Sequence, residues 1–266
     1  MKEIFSDSNP WFKETKSLIE KNRARKKSGK FVVEGIKEIK MACDAGFELI
    51  DLAWCNDQFS KDELESEFKT GQFEDVNLIL LTSKLFGELV VRASGRNALG
   101  VFKIKPLTDN QPVLKNRMLI LVAEGVEKPG NLGAILRTCD AAGVDGLILS
   151  EPKIDAMHPQ VIRNSLGSVF HVPIWITDNQ SCFAFLKDSG VSVYTTFMQH
   201  SSSLYHTKLA DKTAFVVGTE HEGVSSFWME KGKNINIPMN GVMDSLNVSV
   251  ASALLLYEGF RQLKRE

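Results

Sequence analysis

The sequence predicts an α/β protein: a C-terminal domain built on a parallel sheet, preceded by a smaller α/β unit. Three observations carry this expectation. Apolar runs of strand length alternate with helical patterns, as where "RMLILVAEG" leads into "NLGAILRTCDAAG". Runs such as "MLILVA" show no polar alternation, the mark of a strand buried on both faces of a parallel sheet. A turn-rich stretch with two prolines, "PLTDNQPVLKN" at 106–116, separates the two series. The expected division is a first domain over 1–107, a linker over 108–116 and a second domain over 117–266.

The elements follow in order. "NPWFKETKSLIEKN" reads as a helix with Asn9 as cap and Pro10 in its first turn. "KFVVEG" is a strand, "IKEIKMACDAG" a helix closed by Gly46, and "ELIDLAWC" a strand. A charged helical stretch at 61–69, the strand "NLILLT", a short helix around 83–90 and the strand "LGVFKIK" complete the first part. The second part reads as "RMLILVAEG", a helix at 131–142, "GLILSE", a turn-rich segment, "VFHVPIW", a helix at 179–188 and "VSVYTT". A polar loop then leads to "AFVVG", a short helix near 225–231, "NINIP" and a long helix at 245–263. Strands alternating with helices argue for a sheet covered on both sides.

Composition narrows the class. An apolar content of 43% with 24% charged residues supports a real core in a soluble globular protein. No apolar run approaches the roughly 18 residues of a membrane helix, and "MKEIFSDSNPWFKETK" has no signal-peptide core. A cytoplasmic location is expected. Cys43, Cys55, Cys139 and Cys182 form no C-x-x-C, and Cys139 falls in an apolar helical pattern, so it reads as core filler. The histidines lack ligand spacing, so no metal is expected. A formal net charge of −1 does not advertise a polyanion partner, but "KNRARKKSGK" at 21–30 holds six cations and no acid. Such a run is an ordinary solvated surface unless something else implies a polyanion.

Three stretches carry chemistry. In "EGVEKPGNLGAILRTCDAAG" at 124–143, Asn131 is placed to cap a helix whose buried stripe is Leu132, Ile135, Leu136 and Cys139, and Gly143 ends it. The stretch lacks G-x-G-x-x-G, so it is not a dinucleotide loop. Arg137 falls opposite the stripe. On helix geometry alone an ordinary surface arginine is the simpler account. In "VVGTEHEGVSSFW", a buried strand ends in Gly218 and a turn holding Glu220, His221 and Glu222, which leaves metal binding, acid–base work and capture by bare backbone open. In "NINIPMNGVMDSLNVSVASALLLYEGF", Ser245 or Asn247 can cap a helix with an apolar face of Leu246, Val250, Ala253, Leu254 and Tyr257.

Together "KPGNLGAILRT" with "DAAG", "VVGTEHEGVS" and "IPMNGVMDSLNVSVASALLLYE" resemble the three ordered motifs of the SpoU (TrmH-like) family of SPOUT RNA methyltransferases, over roughly residues 117–262. "RNSLGSVFHVPI" at 163–174 resembles the segment between the first two motifs. "KSGKFVVEGIKEIKMACDAG" and "RASGRNALGVFKIK" are similar to the small ribosomal-protein-like substrate domain found in several members. The resemblance implies a SPOUT domain with a C-terminal trefoil knot, an exception to unknotted topology. It also implies S-adenosylmethionine as cofactor, transfer to a ribose 2′-hydroxyl of RNA, ribosomal RNA ahead of transfer RNA, and a homodimer with no membrane. It assigns cofactor contacts to Gly218, Ile237 and Leu246, and catalysis to Asn131, Arg137, Glu220, Ser245 and Asn247. Gly218 is then expected to let the backbone approach the ligand closely.

With RNA implied, Lys21, Arg23, Arg25, Lys26 and Lys27 become the expected RNA contacts. Lys128 departs from the family's usual Asp or Asn and either contacts a phosphate or alters the turn; His221 replaces a usual Gly and reads as local variation. Arg137 acts either as the base or as a donor that holds phosphate and stabilises alkoxide, since a guanidinium is ordinarily a donor only. An inactive RNA-binding or ribosome-associated protein with the same fold is the alternative. A small-molecule α/β enzyme would need a phosphate loop or a triad spacing, and the sequence shows neither.

Overall fold

The computed structural model describes residues 1–57, 60–68, 75–91, 97–197, 200–220 and 222–263. The expected "RASGRNALGVFKIK" similarity lies in part, over 92–96, outside them. In chain order the elements are β1 (Lys2–Ile4), α1 (Pro10–Glu20), α2 (Asn22–Ser28), β2 (Lys30–Glu34), α3 (Ile36–Asp44), β3 (Leu49–Trp54), α4 (Lys61–Ser66), β4 (Asn77–Leu81), α5 (Ser83–Leu89) and β5 (Leu99–Lys103). They continue as β6 (Met118–Glu124), α6 (Pro129–Ala141), β7 (Gly146–Ser150), α7 (Pro159–Asn164), β8 (Ile174–Thr177), α8 (Asn179–Asp188), β9 (Ser192–Thr195), β10 (Ser202–Ser203), β11 (Lys212–Val217), β12 (Lys233–Asn236) and α9 (Val248–Gln262).

The chain forms two compact units, Met1–Lys105 with Asp155–His171, and Pro106–Ile154 with Val172–Glu266. The first stretch ends at Lys105, two residues short of the expected 107, and neither unit is one unbroken run. Residues 155–171, expected as turns, include α7 and belong to the first unit. Phe170 from this segment packs on Phe31 and Phe47 at 6.1 and 5.3 Å between ring centroids. The expected linker is not free either. The carbonyls of Thr108, its first residue, and of Leu107 just before it accept from Trp175 Nε1 and Ile176 N at 2.8 and 3.0 Å, which docks this stretch along β8 within the second unit.

The first unit is a five-stranded mixed sheet in the order β1-β4-β3-β5-β2. Asn9 caps α1 as expected, its side chain accepting from Trp11 N at 2.9 Å. The basic run forms α2, a helix not expected from its composition, closed by Gly29 in the left-handed conformation. Of the four cations on α2, one does not face water. Arg25 turns inward, fully buried, with Nε donating to Asp155 Oδ2 at 2.6 Å and Nη1 to the Leu18 carbonyl at 2.7 Å. This corrects the expectation that Arg25 contacts RNA: its charge is spent inside the fold. Lys21, Arg23, Lys26 and Lys27 remain exposed.

The second unit is a seven-stranded sheet, β10-β12-β9-β11-β6-β7-β8, parallel in every pairing. Its central strands are continuous apolar runs because both faces are covered; every residue of β6 is buried. Strand order reverses beside β6, with β7 on one side and β11 on the other, the kind of switch point where open α/β sheets bind ligands outside the carboxyl ends. "VFHVPIW" is shorter as a strand than expected, because Pro173 lacks an N–H for the ladder and Ser168–Phe170 forms a 3-10 turn. The helix expected near 225–231 is one 3-10 turn, Ser226–Trp228. Helix α9 starts at Val248 rather than 245, capped by Asn247. It packs through Val248, Ser252, Leu255, Leu256 and Gly259; a Cβ on Gly259 would lie 2.6 Å from Leu119 Cδ1, so the small residue seats the helix on the sheet.

Removing one member of a buried ion pair strands the other. Asp155→Ala should therefore destabilise the chain by about 3 kcal/mol. Combining it with Arg25→Met should recover most of that loss. Urea denaturation of the single and double variants checks this, and an unchanged midpoint for Asp155→Ala would show that the Arg25 guanidinium does not depend on its partner.

Candidate functional site

The site is built at the carboxyl edge of the second unit's sheet. Beyond β6 the chain turns through Gly125, at φ 64°, and enters α6 with Lys128 as cap and Pro129 at the first helical position. Pro129 has the fixed φ of a first helical residue, so the helix begins two residues before Asn131. Asn131 is therefore not the cap, which corrects that expectation. Its Oδ1 accepts instead from Asn247 Nδ2 at 3.2 Å. Asn247 in turn caps α9, its Oδ1 accepting from Ser249 N at 2.9 Å. The starts of two helices are thereby joined by a pair of amides. At the far end of α6, Gly143 at φ 59° closes the helix as expected.

A cleft of about 320 Å³ opens beyond the ends of β9, β11 and β12. Its walls include Thr196, Gly218, Glu220, Ile237, Ser245 and Leu246, drawn from three stretches of sequence. All three expected cofactor residues and two of the expected catalytic residues meet there. Beside it a small cavity of about 30 Å³ is lined by Lys128 and Asn131 on one side and Gly218, Thr219 and Glu220 on the other. Glu220 forms an ion pair with Lys128 across it.

Arg137 is exposed and points away from Leu132, Ile135, Leu136 and Cys139, all fully buried, as the helical spacing predicts. It lines neither cavity. Six residues beyond Asn131, it stands about 9 Å further along the helix axis. Within one chain, the structure does not bring Arg137 to the cleft.

Gly218 is also required by the packing of the chain against itself. A Cβ there would lie 1.8 Å from Gly223 O and 2.2 Å from Val224 N. The close approach is to the chain's own loop, which folds back through Thr219 N to Gly223 O at 2.9 Å and Gly223 N to Thr219 O at 3.2 Å. His221, in that loop, lies outside the described residues.

Sequence reasoning missed the group that anchors this loop. Glu124, the last residue of β6, is 4% exposed. Its Oε1 accepts from Asn179 Nδ2 at 2.6 Å and Ser225 Oγ at 2.5 Å, and its Oε2 from Ser225 N at 2.8 Å. Asn179 Oδ1 accepts from Ser150 Oγ and Trp228 Nε1 at 2.6 and 3.2 Å. A buried carboxylate is tolerable only when donors surround it. The signal was a lone Glu ending an otherwise apolar strand. Burial raises the Cys139 and Cys182 thiols, with neighbouring carboxylates adding to the effect, which suits core filler rather than nucleophiles. Among the described residues no group of three or more His, Cys, Asp or Glu could hold a metal ion.

A parallel, doubly covered sheet with a ligand-sized cleft at its switch edge, walled by chain segments far apart in sequence, defines an α/β ligand-binding domain of the enzyme type. Residues 118–257 match the SpoU rRNA Methylase family, and residues 9–100 match the MRM3-like substrate binding domain. The chain is 30% identical to the 23S rRNA (guanosine(2553)-2′-O)-methyltransferase RlmP of Bacillus subtilis (strain 168), over 97% of this chain and 98% of that one. Among solved structures, an RNA 2′-O ribose methyltransferase superposes with a TM-score of 0.83 at 33% identity, covering 98% of both chains. An AdoMet-bound rRNA methyltransferase from Sinorhizobium meliloti superposes at 0.85 with 26% identity, again over 98% of both. The chain belongs to the SpoU rRNA methylase family.

The loop geometry separates two glycines. Gly223, at φ 69° with open space around its Cα, should lose about 1–2 kcal/mol as Ala from backbone conformation alone. Gly218→Ala should lose more, because Gly223 and Val224 must move. Thermal unfolding of both variants checks the order; a smaller loss for Gly218→Ala would mean the loop yields freely.

Proposed function

We propose that this chain transfers a methyl group from S-adenosylmethionine to a ribose 2′-hydroxyl of large-subunit ribosomal RNA. The observation that carries the proposal is the meeting of Gly218, Glu220, Ile237, Ser245 and Leu246 on one cleft in a chain of this family. The cleft suits the cofactor. Its volume falls in the roughly 300–1,000 Å³ range of small-molecule sites, and it mixes apolar walls from Ile237 and Leu246 with polar Ser245 and Glu220. Bound there, S-adenosylmethionine supplies an electrophilic methyl group on a sulfonium centre.

The rest falls to the chain. The 2′-oxygen would gain the methyl group as the sulfur–carbon bond breaks, with the hydroxyl proton passing to solvent water. On this reading the Asn131 and Asn247 amides, hydrogen-bonded to each other, and Ser245 in the cleft wall orient the ribose. Arg137 is a guanidinium with no ion pair among the described residues. As a donor it holds phosphate and stabilises the developing alkoxide, rather than accepting the proton. Because it lines neither the cleft nor the small cavity beside it, it reaches a reacting ribose only when RNA or a second copy completes the site.

A homodimer is part of the proposal, as is the family's C-terminal knot. Val250, Leu254 and Tyr257, at one face of α9, are 47, 37 and 52% exposed. That is the apolar face read from the sequence, and the sheet does not cover it. A second copy is the occupant we propose, acting in the cytoplasm, where four cysteines outside any disulfide are at home. RNA docks on the first unit through Lys21, Arg23, Lys26 and Lys27, which among the described residues have no acidic partner, unlike Lys30, paired with Glu14 at 2.9 Å.

Arg137→Ala should keep the fold and S-adenosylmethionine affinity, since no cavity opens and no cleft wall is lost. Single-turnover methylation of ribosomal RNA transcripts should fall by two orders of magnitude or more. Arg137→Lys should rescue little, because the planar fork is lost. Near-normal turnover in Arg137→Ala would remove it from the site, and an inert wild type that still binds RNA would favour the inactive RNA-binding alternative.

Neutralising Lys21, Arg23, Lys26 and Lys27 should weaken RNA binding and lower its salt slope by about 0.7–0.9 per lost phosphate contact. Cofactor affinity should hold. Filter binding across salt concentrations tests this; an unaltered slope returns the run to ordinary surface.

A further inference from the structure

Lys128 stands at a position where a lysine is a poor choice. It occupies the cap of α6, where side chains that accept from the first N–H groups are preferred, and it makes no such bond. A cation at that end also opposes the positive pole of the helix. An anionic partner offsets both costs, and Glu220 is that partner. The pair joins the turn after β6 to the loop after β11. The Glu220 carboxylate, with its side chain 20% exposed, lines both the large cleft and the small cavity beside it, whereas Lys128 lines only the small one. A second contact supports the same closure: a Cβ on Gly125 would lie 2.9 Å from the Thr219 methyl, so the two segments touch at their bases as well as at their tips.

We propose that Lys128 is a positioning residue: through its ion pair with Glu220 it latches the 218–223 loop against the start of α6 and so holds one wall of the cofactor cleft closed. The alternative is that Lys128 meets an RNA phosphate directly. This rests on the methyl-transfer reading for the identity of the ligand, but the latch itself does not. With Glu220 on its ammonium, Lys128 has its charge matched within the chain, which leaves little for a phosphate. The latch also accounts for the placement of a carboxylate at the cleft without proton transfer: Glu220 holds the loop.

The test combines binding and exchange. An exposed pair is worth up to about 1 kcal/mol, which corresponds to about fivefold in an equilibrium constant. By calorimetry Lys128→Met should weaken S-adenosylmethionine binding by about that factor, and Lys128→Arg by less than twofold. Glu220→Gln should show a similar loss, and the Lys128→Met/Glu220→Gln double variant should be no worse than either single one. Affinity for a ribosomal RNA transcript and its salt slope should not move. Additive losses overturn the proposal. So does a Lys128→Met variant that binds S-adenosylmethionine normally but loses RNA affinity with a shallower salt slope, because that is a phosphate contact. Hydrogen exchange of the ligand-free chain reads the latch without any ligand. Lys128→Met should speed exchange at the Thr219 and Gly223 amides several-fold, and unchanged protection overturns the latch. A wild-type chain that binds no S-adenosylmethionine would instead sink the methyl-transfer reading, with the exchange result still deciding the pair.

Discussion

The cleft depends on one buried carboxylate. Glu124 ends the central strand β6 at the point where strand order reverses, and with no cation on it among the described residues it is satisfied by Asn179 and by both the amide and the hydroxyl of Ser225. The two residues that donate come from different segments: the first residue of α8 and the exit of the 218–224 loop. A carboxylate buried this deeply cannot lose its donors cheaply, so it fixes where that loop must end. Gly218 fixes where it begins, since only a residue without a Cβ can lie against Gly223. Between these two points the loop carries Glu220 in the cleft wall. The polar network is thus the foundation, and the ion pair to Lys128 is a second fastening at the loop's tip.

The parallel sheet sets the rest. Strands covered on both faces leave only their carboxyl ends for chemistry, and side chains there come from whatever follows each strand. This explains why residues as distant as 131, 220 and 247 meet, joined by the Asn131–Asn247 amides and the small cavity. It also explains why α6 and α9 contribute their first residues rather than their middles. Arg137, beyond the first turn of α6, falls outside the cleft for the same reason.

Much of this was legible in the sequence. The strands of the second unit are continuous apolar runs, and α6 carries its stripe at the expected spacing, so both fold class and the burial of Leu132, Ile135, Leu136 and Cys139 could be read directly. Three things could not. The cap of α6 was misplaced because Pro129 starts the helix early, and a lysine at a cap is not a pattern one looks for. Residues 155–171 sit with the first unit, and no local signal in a turn-rich segment announces a long-range partner such as Arg25. The apolar face of α9 was read correctly as apolar, but periodicity does not say what covers it. The helix is apolar on more than one side, and the sheet takes the side with Ser252 and Gly259, where small residues permit close approach.

Charge shows the same limit in its sharpest form. A run of six cations looks uniform in sequence, yet the fold gives its members different duties. Arg25 is neutralised by Asp155 and a main-chain carbonyl, Lys30 is paired with Glu14, and Lys21, Arg23, Lys26 and Lys27 keep their charge for solvent or a partner. Counterion release counts only the last group. In the second unit Lys128 is matched by Glu220, whereas Arg137 has no acid on it among the described residues. A cation already paired within its chain must break that pair before it can serve RNA, so the free cations are the ones available to a polyanion. Net charge, at −1, sums over all of these and conceals the distinction. What matters for a nucleic-acid partner is how many positive groups the fold leaves without an internal carboxylate, and that is set by which face of each helix packs inward.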